Sequence, residues 1–331
     1  MQRKINGKPL SEDILLTPPD LGAASNPNLV INGYFPDPVN QLGLEEYTAP
    51  GCHAYYGIDQ WGQYNKTRLT ISEDGASLFY PGEADGGTYI LGQAVEDFKA
   101  LRGGTMTLSL LVSSLSQGEI DLFVQFHEDY EGNIDSDITS DAGLLSVTFQ
   151  VPMDAEMMLF GINSPNKNPC AFSPVAMKLE PGPFQTLAHQ DATGNWVLND
   201  PPPNKALELA KCQRYQFELF DRRLTGQGYV VQGKAISGTH IYGLLPTPVP
   251  MREGGLPALI TDCSADNPYF SFGVFKDGYS GSHPITSMWV YSRQENGIII
   301  TAEGSNFVPG NDYQIFVGNQ NQHQFLLDRN L

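Results

Sequence analysis

Alternation with a period of two, broken every few residues by Gly, Pro or Asp, most limits what this chain can fold into. In TMTLSLLVS, Met106, Leu108, Leu110 and Val112 fall on one side, with Thr105, Thr107 and Ser109 on the other. LLSVTFQV repeats the pattern, setting Leu145, Val147, Phe149 and Val151 against Ser146, Thr148 and Gln150. A strand turns successive side chains to opposite faces, so such runs read as half-buried antiparallel strands. RLTIS, SLFY, TYILGQ, IDLFVQF, MMLFGI and VAMKLE add strands at sandwich spacing, and FSFGVF, MWVYS, GIIIT and YQIFVG continue toward the C-terminus. The turns come from 34 glycines and 24 prolines, and 331 residues are too many for one ordinary core.

One stretch departs from this pattern. KALELAKCQRYQFELF, Lys205 to Phe220, follows Pro201 to Pro203 and a capping Asn204, and contains neither Gly nor Pro. Its Ala, Leu, Glu, Lys, Gln and Arg predict a helix over the whole run. The expected fold class is therefore all-β: two β-sandwich, jelly-roll-like domains joined by one short helix. The expected divisions are a segment 1–28, too broken for a core, a jelly-roll domain 29–182, a linker and helix 183–220, and a C-terminal sandwich 221–331.

Nineteen basic against thirty-seven acidic residues leave a net charge of −18, which would be repelled by phosphate backbones and anionic lipid. Neither nucleic acid nor membrane insertion is expected. Cys52, Cys170, Cys212 and Cys263 are scattered and form no CxxC pair, so they read as free thiols of a reducing compartment. The opening MQRKINGKPLSED has no apolar core, so no signal peptide is expected, and no run of 18 apolar residues suggests a membrane span.

A search for chemistry finds no HExxH, G-x-S-x-G or P-loop, and the six histidines are dispersed. No enzyme is expected, although a pair of carboxylates suited to glycan cleavage is compatible with so many acids. The acidic stretch His127 to Asp141 has two readings. Asp135, Asp137 and Asp141 could offer hard oxygens to calcium, or the stretch is a solvated hairpin tip. No cofactor is otherwise expected. His189 and Asp191 read as a surface pair. Sugars stack on aromatic rings and bond to carboxylates and amides. Tyr269, Asp277, Tyr279, His283, Trp289 and Tyr291 are the candidate carbohydrate-binding residues, with a buried strand face the favoured reading for Trp289. Tyr55, Tyr56 and Tyr64 form a lesser cluster.

Four patterns carry a family resemblance. INGKPLSEDILLTPPDLGAA resembles a short element of bacteriophage tail fibres and related tail proteins. NLVINGYFPDPVNQLG followed by GIDQW is similar to a second tail-protein pattern, keeping Asn28, Leu29, Asn32, Phe35, Pro38, Asn40, Gln41, Ile58, Asp59 and Trp61. It departs from that pattern at Leu42 and Gln60, where the family generally has arginines. MKLEPG, QTLAH and LELAKCQRY resemble a junction in such proteins, and PTPVPMR a segment of their tips. The jelly-roll region also resembles carbohydrate-binding modules. The resemblance implies a receptor-binding protein of a phage tail or tailocin, located in the virion tail, made in the host cytoplasm and released by lysis. It implies an N-terminal tail-fibre connector that docks other tail or baseplate proteins, a bacterial cell-surface glycan as ligand, and a homotrimer. The helix would then be a three-helix neck, with Leu209, Cys212 and Leu219 buried between chains. A purely structural baseplate component and a glycan-cleaving tail enzyme are the other expectations.

Overall fold

The computed structural model describes residues 25–49, 55–82, 87–129, 131–218, 228–251, 258–261, 272–276, 282–294, 297–317 and 325–328, with the pairs 4–5 and 8–9. The fold is all-β with one α-helix, as the alternation predicts. The chain divides into two compact units. The first comprises Met1–Pro38, Leu44–Gly57 and Trp61–Asn204; the second comprises Val39–Gly43, Ile58–Gln60 and Lys205–Leu331.

In the first unit, β1 (Lys4–Ile5) and β2 (Lys8–Pro9) pair with each other. Next come β3 (Glu46–Thr48), β4 (Tyr55–Tyr56), β5 (Gly62–Gln63), β6 (Arg68–Ser72), β7 (Gly75–Tyr80) and β8 (Tyr89–Ala94). They are followed by β9 (Thr105–Gln117), β10 (Asp121–Gln125), β11 (Ile134–Asp135), β12 (Gly143–Gln150), β13 (Leu159–Asn163) and β14 (Cys170–Pro181). These build two six-stranded sheets, ordered β11-β10-β13-β8-β5-β4 and β12-β9-β14-β7-β6-β3. The hairpin β15 (Ala188–Gln190) and β16 (Trp196–Leu198) closes the unit.

The core of this unit holds Leu108, Leu110, Leu122, Val124, Phe160, Ile162, Met177 and Leu179, all fully enclosed. Trp61 packs 5.3 Å from Phe35 and edge-on to Phe160, and its indole N–H donates to the Asn32 carbonyl at 2.9 Å. Asn32 has φ 57°, a left-handed conformation that asparagine tolerates better than most residues. Asn28 needs no strand of its own to bond β14. Its amide donates to the Met177 carbonyl and accepts the Leu179 N–H. The motif residues Asn28, Asn32, Phe35 and Trp61 thus have packing and backbone-satisfying roles.

The polar face of β9 is not solvated, contrary to a half-buried reading. Thr107 and Ser109 are buried, because the chain leaving β14 is tied over this face. In register, Ser109 lies opposite Lys178 and Thr107 opposite Glu180. Lys178 is enclosed, and its ammonium donates to Thr186 Oγ1 at 2.9 Å, to Asp200 Oδ2 at 3.0 Å and to Ser25 Oγ. Glu180 lies 3.7 Å from that ammonium and accepts both the Thr186 N–H and the Thr186 hydroxyl. Beside this network, Leu187 and Ala188 pack on Leu111 and Ala176.

In the second unit the helix α1 spans Lys205–Gln213 and stops seven residues before Phe220. Two short bonds, Arg214 N–H to the Lys211 carbonyl and Tyr215 N–H to the Cys212 carbonyl, close its last turn. The chain then enters β17 (Gln216–Glu218). Tyr215, Phe217 and Phe220 favour a strand once an edge is available, and β25 (Phe325–Asp328) supplies that edge. The buried positions of α1 are Glu208 and Cys212, while Leu207 is exposed. Of the expected neck residues, Cys212 is enclosed within one chain, Leu209 is half-buried, and Leu219 lies outside the described residues. Cys170 and Cys212 are free and buried. Burial, then the charges of Asp59 and Glu208, push the Cys212 thiol far up. Among the described residues no helix is long and apolar enough to cross a membrane.

Within this unit Asp59 is also buried, and its carboxylate accepts the Gln41 N–H at 2.8 Å and the Gln41 side-chain amide. The same amide donates to the Gln216 carbonyl at 2.7 Å. Burial outweighs these bonds and raises the Asp59 carboxyl to about 6.

The remaining strands are β18 (Gly228–Ala235), β19 (His240–Pro246), β20 (Ala258–Thr261), β21 (Phe272–Lys276), β22 (Ser282–Gln294), β23 (Gly297–Gly304) and β24 (Asp312–Val317). Six of them close into a barrel ordered β18-β19-β23-β22-β21-β24, and β17-β25-β20 form a three-stranded sheet. The interior holds Ala235, Ile241, Leu245, Val290, Ile298, Ile300, Ala302 and Tyr313. Closure adds to the sandwich-like class a feature that periodicity does not carry, because alternation is the same in an open sheet and a closed one.

Two outcomes follow from the buried charges. Lys178→Met leaves Glu180 without its cation and is expected to lower unfolding free energy by about 3–5 kcal/mol, with part restored in Lys178→Met/Glu180→Gln. Denaturant titration of the double-mutant cycle checks this. For Asp59 the folded state binds the proton more tightly than the unfolded chain, so its contribution is lost as pH rises from about 4 through about 6. The stability of Asp59→Asn relative to the parent should rise by about 2 kcal/mol between pH 4 and pH 7, and urea unfolding at both values reads it.

Candidate functional site

The barrel's outer surface carries several aromatic side chains. On β19, Ile241, Gly243 and Leu245 turn inward, so His240, Tyr242 and Leu244 turn outward. On β22, Val290 is buried, and Trp289 and Tyr291 beside it are 39% and 52% exposed. Between them runs β23, with Ile298, Ile300 and Ala302 inward and Thr301 and Glu303 outward.

Register aligns these positions into rows. Asp312 lies opposite Lys234, Lys234 opposite Tyr242, Tyr242 opposite Thr301, and Thr301 opposite Trp289. Directly opposed residues share a face, so one row crosses five strands with an acid, a base, a phenol, a hydroxyl and an indole. The next row sets His240 and Ser287 on either side of Glu303. Ser287 donates to the Glu303 carboxylate at 2.8 Å.

The rings are held in place. His240 meets Trp289 edge-on, with centroids 6.1 Å apart, and Tyr242 lies 4.7 Å from Tyr291 at 34°. Ser237 Oγ accepts the N–H groups of Thr239 and His240, fixing the hairpin that presents the imidazole. Thr239 Oγ1 lies 2.8 Å from His240 Nδ1. The Tyr242 hydroxyl is held above the ordinary phenol range, first by desolvation and then by its bond to Tyr291. Beside this ring opens a cleft of about 330 Å³ lined by Gln232, Gly233, Lys234, Tyr242 and Asp312. Gly233 has no room for a side chain, since an added Cβ would lie 2.6 Å from Ile241 Cγ2.

Of the residues singled out from sequence, Trp289 and Tyr291 are brought together on this surface. His283 is on β22, opposite Val274 of β21. Tyr269, Asp277 and Tyr279 lie outside the described residues. His240, Tyr242, Lys234 and Asp312 were not anticipated. The outward positions of HIYGLL were legible as alternation, whereas Lys234 and Asp312 join the row only through pairing. In the lesser cluster, Tyr55 and Tyr56 form β4, and Tyr64 meets Tyr89 edge-on at 5.9 Å. Among the described residues no three His, Cys, Asp or Glu side chains gather to hold a metal, and Asp137 and Asp141 are exposed. His189 bonds Asn199, while Asp191 caps its own turn through the Thr193 and Asn195 N–H groups.

Chemically, the surface offers flat apolar rings with a carboxylate, an ammonium, an amide and hydroxyls within reach of them. That is the equipment for binding a polyhydroxylated ligand.

No protein-family model matches the chain, and no curated protein matches it. Among solved structures, the C-terminal family 22 carbohydrate binding module of Clostridium thermocellum Xyn10B aligns at 13% identity and TM-score 0.29, over 39% of this chain and 92% of that one. The tandem family 22 modules of Paenibacillus barcinonensis Xyn10C align at 11% identity and TM-score 0.30, over 92% and 97%. The N-terminal module and catalytic module of the Clostridium thermocellum xylanase align at 14% identity and TM-score 0.27, with 29% of that chain spanned. Scores of this size assign neither a family nor a ligand.

Thr301 gives this surface a structural test. Its hydroxyl is buried without a hydrogen-bond partner. Thr301→Val is expected to stabilise the protein by about 1 kcal/mol. Thermal unfolding checks it, and a loss of stability would show that the hydroxyl has a partner.

Proposed function

We propose that this protein binds a glycan on the outer face of its barrel, with Trp289, Tyr242, Tyr291 and His240 as the stacking platform. Lys234, Asp312 and Gln232 would bond sugar hydroxyls in the adjoining cleft. The observation that carries this reading is the row of solvent-facing rings aligned with polar groups across five strands. Such rings are already ordered, so little conformational entropy is lost when a ligand arrives.

The finer reading is attachment of a phage tail, or tailocin, to a bacterial surface glycan. It draws its support from the resemblance at residues 5–24, 28–61 and 177–215. Weak single sites would gain from multivalency in a homotrimer. A solution mass of one chain would remove that part.

Binding of the purified protein to bacterial envelope polysaccharides, read on an array and by calorimetry, tests the proposal. Trp289→Ala and Tyr242→Ala should each weaken binding at least tenfold, about 1.4 kcal/mol. Full binding by the double variant would overturn it. Release of reducing sugar from the same polysaccharides would indicate a cleaving enzyme instead.

A further inference from the structure

The acidic stretch that follows β10 plays no part in the barrel surface, yet it is stitched against a buried carboxylate of the first unit. β11 pairs with β10, placing Asp135 opposite Phe123. Beyond it, Ser136 exchanges bonds with Leu122 at 2.9 Å, and Thr139 bridges Ile120. The period of two puts Asp121, Phe123 and Asp135 on one face, with Asp135 diagonal to Asp121. Asn163 lies opposite Asp121, and Tyr89 opposite Asn163. The Tyr89 ring stacks on Phe123 at 4.0 Å, and its hydroxyl accepts from Asn133 Nδ2 at 3.4 Å.

Two oxygens on paired residues are buried without a hydrogen-bond partner: Asp121 Oδ1 and Asn163 Oδ1. Asp121 is 4% exposed and Asn163 7%. Both are acceptors. A buried acceptor left unmatched costs about 1–3 kcal/mol, so the two together call for a species that attracts oxygen lone pairs. The Asn163 side chain also bonds the Asp121 carboxyl, and the charge that bears on it is a second carboxylate, Asp135. A sugar cannot stack on atoms this enclosed. The donors are all hard oxygens, two carboxylates and an amide, which suits calcium rather than metals that prefer nitrogen or sulfur.

We propose that Asp121, Asp135 and Asn163 form a site for a hard divalent cation of the calcium class, with Asp121 inside and Asp135 at the open rim. The site shares Asp135 with the expected loop ligands but takes its other donors from β10 and from β13.

The full chain titrated with CaCl2 by calorimetry, and with Tb3+ by luminescence sensitised through Tyr89, tests this. Saturable binding is expected, with a melting temperature that rises as calcium is added. Asp121→Asn should weaken binding at least tenfold with an unchanged circular dichroism spectrum. Asp137→Asn/Asp141→Asn should retain it. No saturable binding by the parent protein, equal binding by Asp121→Asn, or loss confined to the Asp137/Asp141 variant would each overturn the proposal.

Discussion

Lys178 carries a positive charge into the first unit, and removing that charge from water costs several kcal/mol unless acceptors replace the solvent. Four groups do so: Ser25 from far back in the chain, and Glu180, Thr186 and Asp200 from the end of β14 and the segment that follows it. Satisfying one ammonium therefore fixes where the chain approaches the sandwich and where it leaves. It also explains why the polar face of β9 is covered: Thr107 and Ser109 lie beneath the segment that Lys178 and Glu180 hold down. The same demand accounts for Gln93, whose amide both donates to and accepts from the Ile31 backbone. Polar side chains here stand in for strand partners where the backbone has none.

The barrel solves a different problem. Its interior is filled by Ile241, Ile298, Ile300 and Ala302 with Tyr313. Tyr242, Trp289 and Tyr291 stand at positions that alternate with buried ones, so their rings fall on the outside. A closed sheet holds the Cα positions of five strands in fixed register, so rings and charges that are distant in sequence become neighbours. A surface built in this way is ordered before any ligand arrives, and order of that kind would favour affinity in the proposed role.

Legibility followed the range of the interactions. WVYS shows by alternation alone that Trp289 and Tyr291 share a face, but not whether that face is solvated. Val290 fills the barrel interior at 8% exposure, and this settles the direction. The helix was visible from composition, yet its end was not. Tyr215 to Phe220 carries residues acceptable in either state, and the edge of β25, more than a hundred residues away, draws Gln216–Glu218 into a strand. The acidic stretch was conspicuous in sequence, while Asp121 and Asn163 were hidden inside runs that read simply as strands.

By itself the sequence determined that the protein is built from antiparallel strands with one helix, and which residues alternate on each strand. Those properties depend on near neighbours and on the fixed two-residue period of the pleat. Only the tertiary structure decided which strand pairs with which, that the second sheet closes, and which polar residues are enclosed. Pairing over long separations places Lys234 and Asp312 beside Tyr242, and Asp121 beside Asn163 and Asp135. No local pattern encodes those meetings, because they arise from register between strands rather than from spacing along one.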